Sequence, residues 1–225
     1  MSSIGLRLHD EVLHDEVLHD EVLHLREFGA GDVAEVQALH ADARVRAWLP
    51  DIQPLQEAGW AAAFVAGLGR FYRQHEGLGI WRCAVPLADG GERFAGWFSL
   101  MPVQAGPDAQ ALGVQPGDVE LGSRLLPEHW GGGLSLAGGE RLLHHAFARL
   151  QVRAVWGICH PHNRPAQACL AALGFLPRGR ALYEGQPADH HQLLAADWAE
   201  LQPLSHRQRL RRHRRTPTVS SQDLP

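Results

Sequence analysis

Three successive glycines stand in the run Trp130-Gly131-Gly132-Gly133-Leu134-Ser135. Ahead of them Val119 to Leu126 is apolar-rich, as a strand is, and behind them Leu136, Leu143, Phe147 and Leu150 recur at helical spacing. A glycine turn from strand to helix lets the backbone approach an anion closely, while the free N–H groups of the first helical turn point at it. The chemistry this suits is pyrophosphate binding without a side-chain cation; a plain tight turn is the alternative. Two common phosphate binders are excluded. A P-loop closes in Gly-Lys-Ser/Thr, and the 21 Lys+Arg of this chain are all Arg. A dinucleotide turn needs Gly where Leu136 stands and an acid about 20 residues further on, yet no Asp or Glu occurs between Glu140 and Glu184. That acid-free run carries Arg141, Arg149, Arg153, Arg164, Arg178 and Arg180, either a solvated basic face or an electropositive surface for a ligand with several phosphates.

Other residues carry chemistry of their own. Glu120 is a carboxylate on the strand that feeds the glycine turn, and Glu184 and Asp189 lie near the two closing strands, 180–183 and 190–194. Asn163 caps a helix whose Ala166, Cys169, Leu170 and Leu173 share one face and whose end is Gly174. The three cysteines, Cys83, Cys159 and Cys169, lack metal-ligand spacing and read as reduced core thiols of a cytoplasmic protein. Residues 8–22 are three copies of Leu-His-Asp-Glu-Val. A five-residue period turns about 500° on a helix, so its histidines share no face and a loosely ordered acidic arm is expected in place of a metal site.

The elements that must position these groups follow from periodicity and turn signals. Asp32-Val33-Ala34-Glu35 has a capping-box pattern and opens a helix to about Ala43. Trp60, Phe64, Leu68 and Phe71 mark an apolar stripe on a helix from Gln56 to Tyr72. Strands at 80–85 and 93–100 flank the turn Asp89-Gly90-Gly91. Residues 102–118 show little periodicity and read as a surface insertion or an acceptor-side flap. Gly138-Gly139 weakens the helix after the loop by about 1 kcal/mol per glycine, and close packing would explain the pair. A strand at 154–159 precedes the Asn163 helix.

At 225 residues and 45% hydrophobic content, the chain is most simply one domain at 22–202, between an acidic arm at 1–21 and a basic tail at 203–225. The arm has six acids against Arg7, and the tail has six arginines against Asp223 with no core pattern, so it is expected to be disordered. Weak contact of that tail with RNA or the ribosome is a further expectation. No apolar run reaches the roughly 18 residues of a membrane span, so no membrane partner is expected.

The run from Glu120 to Ser135, then Gly157-Ile158-Cys159-His160-Pro161-His162-Asn163, then Leu173-Gly174-Phe175, resembles the GNAT superfamily of acetyl-coenzyme A dependent N-acetyltransferases. Within it the chain is most similar to the ribosomal-protein N-terminal acetyltransferases of the RimJ and RimL kind, over about residues 22 to 198. The resemblance implies an α/β GNAT fold, a mixed twisted sheet flanked by helices. It implies acetyl transfer from acetyl-coenzyme A to a primary amine by direct attack in a ternary complex, without a metal. A protein N-terminus is the implied acceptor; a small-molecule amine, or a non-catalytic acyl-coenzyme A binding regulatory module, are the alternatives. The implied coenzyme contacts are Leu125, Leu126, Trp130, Gly131, Gly132, Gly133, Leu134 and Ser135, with Asn163 on the pantetheine arm. Glu120 is the implied general base, with Glu184 and Asp189 in reserve. The chain departs from the family at Trp130, where Gln or Arg is usual, and at Ser135, where Gly or Ala is. It also carries Leu170 where a general-acid Tyr is frequent and Ala166 where close relatives have Ser. With those hydroxyls missing, water or bound amine would protonate the leaving thiolate. Oligomeric state is not readable from these residues.

Overall fold

A computed structural model describes residues 23–49, 59–104 and 106–215. The pentapeptide repeats, the start expected for the second helix and the last ten residues lie outside the described residues. Seven strands pair in the order β1-β2-β3-β4-β5-β7-β6: β1 (His24–Glu27), β2 (Gly79–Pro86), β3 (Glu92–Pro102), β4 (Val119–Leu125), β5 (Ala154–Cys159), β6 (Leu176–Tyr183) and β7 (Gln186–Leu194). β4 and β5 run parallel, while β1–β2, β5–β7 and β6–β7 are antiparallel. The sheet is therefore mixed and flanked by helices, the α/β architecture expected. Among the described residues no helix is long and apolar enough to cross a membrane.

The described residues form two compact units. The first holds 23–47, 59–99 and 123–138, with helices α1 (Val33–Ala41), α2 (Ala43–Arg46) and α3 (Trp60–Gln74). The helix start at Asp32 differs from the expected capping box. The Asp32 carboxylate turns back to accept from Gly29 N at 2.7 Å and from both Arg26 guanidinium nitrogens at 2.7 Å. Glu35, the expected partner in that box, instead accepts from Arg82 at 2.6 and 2.7 Å. Arg82 is buried and also donates to Glu92 at 2.6 Å, so its charge is compensated where desolvation would otherwise be costly. Gly59, at φ +89°, stands at the N-cap of α3 before Trp60. The buried stripe of α3 is Ala61, Val65 and Leu68, while Trp60 and Phe64 stack on each other only half-buried, rings 5.1 Å apart.

The second unit holds 48–49, 100–104, 106–122 and 139–215. It contains β5, β6, β7, the short helix α4 (Pro107–Ala111), and helices α6 (Arg164–Leu173), α7 (Ala195–Leu201) and α8 (His206–Arg215). Helix α5 (Leu134–His144) ends here in one π-helical turn, His145–Arg149. Gly139 of α5 packs where a Cβ would lie 2.7 Å from Leu173 Cδ1, the close approach its sequence suggested. The 102–118 connection, expected to be irregular, is pinned down. Asp118, 3% exposed, accepts from Trp156 Nε1 at 2.9 Å, from Arg153 at 2.5 and 3.1 Å and from Gln115 N at 3.0 Å. Ala109 and Val114 pack on Trp156 beside it.

Residues 206–215, expected to be disordered, form α8 against α6. Arg209 explains why an arginine-rich stretch with no apolar stripe packs at all. Only 3% exposed, it donates to Glu140 at 2.5 Å and to the carbonyls of Leu201 and Gln202 at 2.9 and 3.1 Å, with its guanidinium over the Trp198 ring. Burial raises the Glu140 pKa, but the hydrogen bonds and charges of His206 and Arg209 outweigh it and leave that carboxyl below its ordinary value.

Candidate active site

The glycine loop belongs to the first unit, at the end of β4. Leu126 N donates to Ala95 O at 2.9 Å, and a 3-10 turn at Pro127–His129 redirects the chain. The Trp130 indole folds back so that Nε1 donates to Leu125 O at 2.8 Å, fixing the loop to the strand that feeds it while leaving the residue 44% exposed. Gly131 and Gly133 lie at φ +79° and +87°, and a Cβ at Gly131, Gly132 or Gly133 would meet nothing within 4 Å. The first helical bonds of α5 run from Leu136 N and Ala137 N to Gly133 O, at 2.9 and 3.0 Å. The N–H groups before them lie outside the helical ladder, at the positive end of the helix dipole. Leu134 is buried and Ser135 half-buried, anchoring the turn. Open space above side-chain-free backbone donors is what a pyrophosphate requires, so these residues fit the coenzyme.

Glu120 lies in the second unit. Its strand pairs with β5 through only two described positions, Val119↔Val155 and Glu120↔Trp156, so Glu120 ends the parallel ladder. Tyr183, the last residue of β6, donates its hydroxyl to Glu120 Oε1 at 3.3 Å. The sequence reading did not single out this tyrosine. Elimination offered a signal, since the chain has two tyrosines. The other, Tyr72, is structural: its hydroxyl takes Phe28 N at 3.3 Å and donates to Ile80 O, and burial pushes its pKa up.

The two reserve carboxylates have different surroundings. Asp189 accepts from Arg180 Nε at 2.8 Å and from Gln167 Nε2 at 3.1 Å, a structural pairing of β6, β7 and α6. Glu184 is exposed in the β6–β7 turn at φ +49°. Asn163 caps α6 as expected, its Oδ1 accepting from Ala166 N at 3.1 Å, which leaves the side-chain NH₂ for a ligand. Leu170 packs onto β5 so closely that a Cβ at Gly157 would lie 2.3 Å from its Cδ2, and that position is core in this chain. Burial pushes the thiols of Cys159 and Cys169 up to about 11, so neither is a nucleophile at neutral pH.

Residues 23–176 match the family model described as an acetyltransferase (GNAT) domain. Among solved structures, RimJ of Mycobacterium smegmatis in complex with CoA-disulfide is 20% identical, with 86% of this chain and 90% of that one covered at a TM-score of 0.62. The ribosomal-protein-S5-alanine acetyltransferase of Vibrio fischeri is 16% identical, over 82% and 99% of the two chains, at 0.60. A GNAT-family acetyltransferase of Bacillus anthracis is 14% identical, over 77% and 95%, at 0.57. These likenesses agree on the fold, and the family match spans more than half of the chain and reaches from β1 past Asn163. The chain belongs to the GNAT acetyltransferase family and is an acetyl-coenzyme A dependent acetyltransferase.

Proposed function

We propose that the acceptor is a protein N-terminal amine, with Glu120 as the base that prepares it. Acetyl-coenzyme A supplies, when bound, an acyl carbon activated by its thioester. By the family resemblance, Gly131 to Ser135 would donate backbone N–H groups to the pyrophosphate, Leu125 and Leu126 would contribute strand backbone to the coenzyme, and Asn163 would offer its amide to the pantetheine arm. An amine is an ammonium ion at neutral pH and cannot attack until it loses a proton. Glu120 takes that proton directly or through one water. As the N–C bond forms and the C–S bond breaks, the second proton of the attacking nitrogen passes through water to the departing sulfur, and Glu120 gives up its own to solvent. The observation that carries coenzyme use is the glycine loop, whose open backbone meets the positive end of α5. The choice of acceptor is supported by likeness to RimJ and to the S5-alanine acetyltransferase.

Coenzyme A release measured across peptide N-termini, polyamines and aminoglycosides separates the acceptor classes. At least tenfold higher kcat/KM for one of the peptides is the expected outcome. The reverse order would move the enzyme to small amines, and binding of acetyl-coenzyme A with no release for any amine would favour a regulatory module.

The arginine-rich C-terminus supports a second contact, with RNA. On α8 the Arg209 side chain is buried and Arg212 pairs with Glu200 at 2.5 Å, whereas Arg207 and Arg211 are exposed four residues apart on one face. Reversing both to Glu should abolish retention on immobilised RNA at low salt, without touching Arg209. Retention equal to the parent's would remove the contact.

A further inference from the structure

We propose that Tyr183 is a positioning residue for the base. The proposal rests on Glu120 being the base.

Its grounds are geometric. Tyr183 and Gln186 face each other across a two-residue turn, Glu184 at φ +49° and Gly185 at φ +77°. Two positive φ values in succession make the tight turn whose twist matches an antiparallel pair. The phenol therefore projects from a short, well-determined hairpin end. Its hydroxyl meets Glu120 Oε1 at 3.3 Å, across 63 positions of sequence. Glu120 is itself held at the backbone by the last step of the β4–β5 ladder, opposite Trp156. A carboxylate so fixed at its Cα still rotates about its side-chain bonds. A donor on one oxygen favours the rotamer that keeps this contact. At 3.3 Å the contact is longer than the 2.7–2.8 Å typical of such bonds, leaving room for the pair to tighten once an acceptor is bound.

Asp189, the acid along β7, is engaged by Arg180 and Gln167. The role of Tyr183 runs through Glu120, the carboxylate its hydroxyl meets.

The test is a double-mutant cycle on the full chain, with Tyr183→Phe, Glu120→Gln and both together, read as kcat, KM for a peptide amine and affinity for acetyl-coenzyme A. Glu120→Gln alone should lower kcat by about 10²-fold, the lower end of what a positioned base supplies. Tyr183→Phe alone should lower kcat by about tenfold with KM and coenzyme affinity within twofold of the parent. In the Glu120→Gln background the same change should alter kcat less than twofold, because a residue acting through another has nothing left to act on. Equal losses in both backgrounds, or no loss in the parent, would overturn the positioning role. Full activity in Glu120→Gln would instead sink the base assignment, whatever Tyr183→Phe does. Thermal melts of all three variants with and without acetyl-coenzyme A separate misfolding from lost chemistry.

Discussion

Gly96 and Gly131 lie in the same compact unit, both with left-handed φ, and their surroundings are opposite. A Cβ on Gly96 of β3 would sit 2.1 Å from Arg124 O and 2.7 Å from Leu125 Cα, against backbone that cannot swing aside. A Cβ on Gly131 would meet nothing within 4 Å. Gly138, on the first turns of α5, repeats the crowded case, its Cβ falling 2.2 Å from the Phe98 ring. The first kind of glycine is required by the protein's own packing. The second leaves space that the folded chain does not use, which is what a ligand site needs.

That contrast can be broken by substitution. Gly96→Ala should have the largest effect. Left-handed backbone costs an L-residue about 1–2 kcal/mol, and overpacking adds typically 1–3 kcal/mol. A loss of roughly 3 kcal/mol or more is a large share of the 5–15 kcal/mol that holds a domain together. A urea midpoint that fails to fall would show that β3 and β4 relax apart more easily than their spacing implies. Gly131→Val should cost less stability, since its only penalty is backbone strain, yet remove ligand binding. At 100 times its dissociation constant acetyl-coenzyme A stabilises the parent by about 2.7 kcal/mol, a rise of roughly 5–10 °C in melting temperature for a chain of this size. The variant should show almost none of it. Gly132→Ala is the small-effect counterpart, because Gly132 has neither positive φ nor close neighbours. Its melting temperature should stay within about 2 °C of the parent and its ligand shift should persist. A Gly132→Ala loss as large as that of Gly131→Val would mean that bulk anywhere on the loop excludes the coenzyme, and the distinction by φ would fall.

Most elements were legible because their signals are local. The strand at 154–159 and the α6 helix, capped by Asn163 and ended by Gly174 at φ +101°, match their expected bounds closely. The hairpin around Asp89-Gly90-Gly91 closes as expected, with Leu87 N donating to Gly91 O at 2.8 Å. The misreadings share one cause. Glu35 and Arg209 each carry a charge that reads locally as part of a helix cap or of a polar tail, and each is decided by a partner 47 or 69 positions away. A charged residue shows no hydrophobic period when it is buried, so sequence patterns place it outside until its counter-charge is located.

The sequence by itself determined the succession of strands and helices, the absence of a lysine-based phosphate site, and the glycine loop with its helix, since turns, caps and periods involve residues within a few positions of one another. Which glycines are filled and which stand open was decided only by the tertiary structure. So were the partnership of Glu120 with Tyr183 and the burial of Arg209 beneath an otherwise polar C-terminus. Those depend on strand order and hairpin curl, which bring residues 63 and 69 positions apart into contact. Such contacts form because the sheet and helices bury their apolar faces together, and no local run of residues encodes them.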